Sequence, residues 1–348
     1  MKTDYLIVGQ GLAGSLLAWH LIQKGKRVLV VDRDEENTSS KVAAGLMTPV
    51  AGARFKLPAG LPERLSFANQ FYWDVEERTG QRFFHHKRIA RLFRNAEEPI
   101  RFQERSEEDP ELKKLCAPLA LPDDLIDTSQ GGFEMKQGGW LDVPAFLECT
   151  RQWLLEQASY AIGSVRSEEV KVSLEGIRWK NIEAESVVFA QGWQAADNHF
   201  FDWLPMNSAA GDILTVEIPD FDPGGKIINK GKWLLPIGGT LFKIGSNYRH
   251  DFESDAPCPQ AREDLERHLR ELIDRPFKTV KHECAIRPII RRSQVFAGRH
   301  PGHEKVILFN GLGSKGVLNG PWHADRLADH LIEGTPLPDS VDLRSNLI

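Results

Sequence analysis

Three groups of residues in this sequence have types and spacings suited to chemistry. Gly9, Gly11 and Gly14 form G-x-G-x-x-G directly after the apolar run Leu6, Ile7, Val8, and Asp32 closes the next apolar run, residues 28–31. In such a turn the first glycine permits the bend, the second lets the backbone approach a pyrophosphate, and the third lets helix and strand pack closely. The helix that opens at Leu12 and Ala13 offers free N–H groups and a partial positive charge to phosphates. Asp32 stands where a carboxylate accepts hydrogen bonds from both ribose hydroxyls. It opposes a 2′-phosphate, although Arg33 follows it. A second glycine turn lies near the other end, in FNGLGSKGVLNGPW, with Gly313, Ser314, Lys315, Gly316 and Val317 ahead of an amphipathic helix. The third group is Arg287 in AIRPII, a planar guanidinium able to hold a carboxylate through two parallel hydrogen bonds.

These groups need a scaffold. The stretch from Tyr5 to Asp32 reads as strand, helix, strand, with Ala13, Leu17 and Leu21 on one helix face, and this context makes the glycine spacing a dinucleotide signature. At 348 residues the chain suits two domains. With 41% hydrophobic and 27% charged residues it reads as a globular protein, and a net charge of −5 argues against a general nucleic-acid binder. The basic run HHKRIARLFR is local and reads as a solvated helix face. No apolar stretch is long enough to span a bilayer. Four cysteines stand singly, without a CxxC pair, so neither a zinc site nor a disulfide framework is expected, and no metal ligand is assigned. No signal-peptide pattern precedes the first strand, so a reducing cytoplasm is the expected location. Residues 62–116 have a helical texture. PQAREDLERHLRELI reads as an amphipathic helix with Leu265, Leu269 and Leu272 aligned.

The first glycine turn alone leaves NAD and FAD open. Further segments carry a resemblance: SSKVAAGLMTPV, GGWLDVPAFLECTRQWL, SVVFAQGWQA, KWLLPIGGTLFKIGSNY, CAIRPIIRRSQVFAGRHPG and VILFNGLGSKGVLNGPWHADRLADHLI occur in this order. Together they resemble the FAD-dependent D-amino acid oxidase superfamily, which includes glycine oxidase, sarcosine oxidase and D-amino acid dehydrogenases. The resemblance implies an α/β fold: a Rossmann-type FAD domain with a parallel sheet (residues 1–60, 140–205 and 295–348), interleaved with an α+β substrate domain on a mainly antiparallel sheet (61–139 and 206–294). It implies non-covalent FAD contacted by Gly9, Gly11, Leu12, Ala13, Gly14, Asp32, Arg33, Ala43, Ala44, Gly45, Leu46, Met47, Val170, Ala190, Gly192, Trp193 and the 313–317 turn.

The implied reaction is oxidation of the C–N bond of a small amine or amino acid. Arg287 is expected at the substrate carboxylate, with a surface or inter-domain salt bridge as its other reading. Arg291 and Arg292 are neighbours able to share that role. Trp233 stands where glycine oxidase-like chains carry a pocket tyrosine, and a core position is equally open to it. Tyr248 is a phenol from the neighbouring strand, and Lys315 is a cation for the flavin end. Leu312 replaces a histidine that some members carry, and His282, His300 and His323 read as bystanders. Cys284 falls near a thioether position of sarcosine oxidases, but reads better as a small buried residue. Other readings are a superfamily enzyme acting on a hydroxy acid or a tRNA wobble-uridine side chain, and an NAD(P)-dependent dehydrogenase.

Overall fold

The computed structural model describes residues 1–122, 125–290 and 294–346. One sheet has five parallel strands in the order Tyr160–Ile162, Val28–Asp32, Lys2–Val8, Ile182–Phe189 and His303–Asn310. The inner strands are apolar without alternation, because helices and core cover both faces. Antiparallel strands extend it: Phe296–His300 beside the last parallel strand, and Ile177–Trp179 with Lys171–Val172 beside the fourth. The chain leaves the central strand Lys2–Val8 to one side and returns on the other. A crevice therefore opens at the carboxyl ends of the strands, where ligands bind in such sheets.

The second sheet has eight strands in the order Lys278–Arg287, Ala209–Glu217, Leu241–Gly245, Lys232–Gly238, Ile227–Lys230, Ile89–Leu92, Gly132–Met135 and Cys116–Pro118. Its pairs are antiparallel except Ile227–Lys230 with Ile89–Leu92. The amphipathic helix Pro259–Leu272 covers one face through Leu265, Leu269 and Leu272. The other face looks onto the crevice. The helical texture of residues 62–116 holds for Leu61–Thr79, Glu97–Glu108 and Pro110–Leu115. It fails for HHKRIARLFR, which forms the strands Phe84–His86 and Ile89–Leu92. Here pairing to a neighbouring strand overrides a charge pattern that also suits a helix. Among the described residues no helix is long and apolar enough to cross a membrane.

The two glycine turns lead into helices that pack side by side. A Cβ on Gly316 would lie 3.0 Å from Leu12 Cδ2, and one on Gly320 would lie 2.6 Å from Leu16 Cδ1. Both contacts advance by four residues, so Leu12–Gln23 and Gly316–Glu333 run in the same direction and both begin at the crevice. Pro321 lies inside the second helix and cannot donate to the Val317 carbonyl. Tyr72, from Leu61–Thr79, replaces that donor with its hydroxyl at 3.0 Å. This contact explains how the helix starts before the proline.

His323, two residues on, is buried. Burial first, and repulsion from Arg64 second, pull its imidazole down to about 4 from 6.5. The folded value lies below the unfolded one, so this contribution is complete above pH 6.5 and is lost as pH falls towards 4. Such a gap corresponds to about 3 kcal/mol. Thermal midpoints measured from pH 7 down to 4.5 should fall for the wild type and fall less for His323→Gln. Equal slopes would show that His323 does not govern the acid sensitivity.

Candidate functional site

All five parallel strands deliver residues from their carboxyl ends to one cavity of about 970 Å3: Gly9, Asp32, Gly163, Ala190 and Asn310. Gly9 has φ +104°, and a Cβ there would lie 2.6 Å from the Ala190 carbonyl oxygen. Only glycine fits both the conformation and the close approach. Gly14 sits beneath the turn rather than in the cavity wall, where a Cβ would overlap the Gly9 carbonyl oxygen. Asp32 has a structural task that its sequence position did not reveal. Its two oxygens accept from Gln10 N–H and Asp34 N–H, each at 2.7 Å, so the carboxylate locks the turn. Each oxygen keeps lone-pair capacity for a ligand hydroxyl.

Leu12, Ala13, Arg33, Ala43, Ala44, Gly45, Leu46, Gly192 and Trp193 line the same cavity. Met47 does not, because its side chain is buried in the core below. Val170 also departs from expectation. It is buried in the second core cluster, and residues 163–168, Val165 among them, form that wall instead. At the opposite end Gly313, Ser314, Lys315, Gly316 and Val317 line the cavity, with Leu312 beside them. The surrounding protein, with Arg64 adding repulsion, holds the Lys315 ammonium below the usual lysine value. The N-cap positions Gly11 and Lys315 supply no side-chain cap of their own, although Ser40 Oγ accepts from Leu12 N–H at 3.0 Å. Two such N-termini facing one cavity suit the anionic groups of a dinucleotide.

A further wall of the cavity is built on the second sheet. Arg287 donates from Nη1 to the Asn247 carbonyl at 3.0 Å and from Nη2 to Ser246 Oγ at 2.7 Å. Its guanidinium lies 4.3 Å from the centre of the Tyr248 ring. It presses so close to Gly211 that a Cβ there would overlap it. Burial pulls Arg287 below the usual arginine value, yet among the described residues no carboxylate pairs with it. Trp233 lines the cavity, its indole packed on Gly245. Arg291 and Arg292 lie outside the described residues.

The model of the family DAO, FAD dependent oxidoreductase, matches residues 4–330. This chain belongs to that family. FAD is therefore the cofactor the cavity is built for, and the NAD(P) reading is set aside. In fold the chain resembles iminodiacetate oxidase from Chelativorans sp. BNC1, at TM-score 0.78, 16% identity and coverage of 96% of this chain and 97% of that one. It likewise resembles glycine oxidase from Bacillus cereus ATCC 14579, at TM-score 0.77, 19% identity and 96% of each chain. In sequence it is 25% identical, over 98% of its length, to the tRNA 5-methylaminomethyl-2-thiouridine biosynthesis bifunctional protein MnmC of Aeromonas hydrophila. The chain spans 57% of that protein's length.

Behind Arg287 of this FAD-dependent oxidoreductase lies a polar network that sequence reasoning missed. Asp212 is fully buried. It accepts from Cys258 N–H at 2.9 Å, Asn247 Nδ2 at 3.2 Å and Arg249 Nε at 3.2 Å. His282 Nε2 lies 2.9 Å away, so His282 is no bystander. Asp212 N–H in turn donates to Asn247 Oδ1 at 2.7 Å. The network thus clamps the segment that holds Arg287. Its one sequence signal was an aspartate inside the apolar run AAGDILTVE. Cys284 is buried beside this network, 3.6 Å from Arg249 Nη2, and forms no part of the cavity wall. Asp212→Asn should raise KM for the substrate about tenfold with the flavin content unchanged, since charged hydrogen bonds are worth roughly 1.5–3 kcal/mol. An unchanged KM would leave Asp212 a purely structural residue.

Proposed function

We propose that this flavoenzyme oxidises the C–N bond of a small amino acid: glycine, an N-substituted glycine or a D-amino acid. The observation that carries this reading is the Arg287 guanidinium, held at the cavity with no carboxylate partner among the described residues. A buried cation without a counter-ion is costly, and a substrate carboxylate is the partner its fork geometry suits. Arg287 would fix that carboxylate, Tyr248 and Trp233 would wall the substituent, and the positive charge would slightly favour the neutral amine. When bound, FAD supplies the acceptor for the hydride that leaves the α-carbon. The substrate becomes an imine, which water hydrolyses to an oxo compound and ammonia, or an amine where the nitrogen is substituted. Lys315 and the 313–316 turn would place positive charge at the flavin end. The position of Cys284 supports non-covalent FAD, and the two sheets support the interleaved two-domain division. We also infer a cytoplasmic reaction, supported by four scattered cysteines.

The likeness to MnmC favours a second reading, a tRNA-borne amine, which the net charge of −5 opposes. Mixing the FAD-loaded protein anaerobically with glycine, N-methylglycine and D-alanine should bleach the visible flavin absorbance with at least one of them. Bleaching by tRNA and by no free amino acid would overturn the proposal.

A further inference from the structure

The run HHKRIARLFR has a role that the reaction above leaves unused. Across the second sheet Ile213 stands opposite Gly245, Gly245 opposite Trp233, Trp233 opposite Asn229 and Asn229 opposite Arg91. Ile213, Trp233, Asn229 and Arg91 all line the cavity, while Ala90, Leu92 and Ile228 pack on the far side. One row of side chains thus leads from the Arg287 end to Arg91. Arg91 is only 5% exposed, an unusual position for an arginine on a cavity wall.

Its surroundings leave charge uncompensated. Glu98, which is fully buried, accepts from Arg94 N–H at 3.0 Å and Arg94 Nε at 2.7 Å. Arg91 Nη2 is 3.5 Å from the same carboxylate, and Arg91 Nη1 donates to the Leu92 carbonyl at 2.6 Å. Burial acts to raise the Glu98 carboxyl, but the bonds from Arg94 hold it below the ordinary value, so it stays ionised. One carboxylate for two guanidiniums leaves one positive charge where Arg91 and Arg94 meet the cavity. The small residues Ala51, Gly52 and Ala53 line the same cavity.

We propose that Arg91 and Arg94 form a second anion subsite, so that the substrate carries another acidic group at the far end of its substituent. This rests on the amino-acid reading and narrows its substrate class. Five strand spacings separate the backbones of Arg287 and Arg91, roughly 24 Å, and the Arg287 guanidinium lies one strand inwards, over Gly211. Glycine, N-methylglycine and D-alanine reach only the Arg287 end, so they act as minimal substrates that leave the second subsite empty. An amino acid with a long N-substituent or side chain ending in a carboxylate or phosphate fits it.

The probes are non-reacting acids that lack an amine: suberate, its monomethyl ester and 8-phosphonooctanoate. They are titrated into the FAD-loaded protein, and the visible flavin spectrum is followed. Suberate or the phosphonate should bind about tenfold or more tightly than the ester, as a charged hydrogen bond would give. The tighter of the two identifies the acidic group. The preference should vanish in Arg94→Gln, whose flavin content reports that it has folded. Equal affinities in the wild type, or a preference that survives both Arg94→Gln and Arg91→Gln, would overturn the subsite. Loss of the Arg287 reading would look different: the ester would bind equally well to the wild type and to Arg287→Ala.

Discussion

Arg287→Ala should lower kcat/KM for amino-acid substrates by about thirty-fold to a few thousand-fold, the range for truncating one partner of a buried charge pair at roughly 2–5 kcal/mol. The variant should still fold and hold FAD, because among the described residues the guanidinium bonds or packs on Asn247, Ser246, Tyr248 and Gly211, all of the second sheet and its adjoining loop. Arg287→Lys should recover part of the loss, since an ammonium keeps the charge but not the two-pronged geometry. Steady-state kinetics on the substrate found by anaerobic bleaching checks both variants. A change of less than about threefold in Arg287→Ala, well below one charged hydrogen bond, would return the residue to a structural role.

Gly14→Val should yield a protein that loses its flavin. The new Cβ would overlap the Gly9 carbonyl oxygen, which belongs to the turn itself and has little freedom to move. The turn is also tied through Gln10 N–H to Asp32, so a shift there would disturb a carboxylate that lines the cavity. Overpacking of this kind costs about 1–3 kcal/mol, or roughly fivefold to over a hundredfold in FAD affinity. Flavin content after gel filtration, followed by titration with FAD, measures it. A yellow protein with wild-type affinity would show that the turn relaxes without harm.

The parts of the fold legible from sequence are those that local pattern governs. Residues 6–8 and 28–31 read as strands because buried parallel strands are continuously apolar, and the first glycine turn lies between them at fixed spacing. Arg287 was legible by residue type. The charged strand Ile89–Leu92 was not, since an alternating basic strand facing a cavity and a solvated helix face share one composition. Val170 and Val165 both lie near the short strand Lys171–Val172, and only packing shows which one reaches the cavity. Asp212, a charge in an apolar run, went unread, and its partners Asn247, Arg249, Cys258 and His282 lie 35 to 70 residues away. Tertiary structure alone brings them together.

Carboxylate binding at Arg287 in the flavin cavity can be read by titrating the FAD-loaded protein with a simple acid and with its amide, for example propionate and propionamide, while following the visible flavin spectrum. Propionate should give a saturable spectral change, propionamide none, and Arg287→Ala neither. Equal responses to acid and amide, or a propionate response that survives in Arg287→Ala, would contradict it.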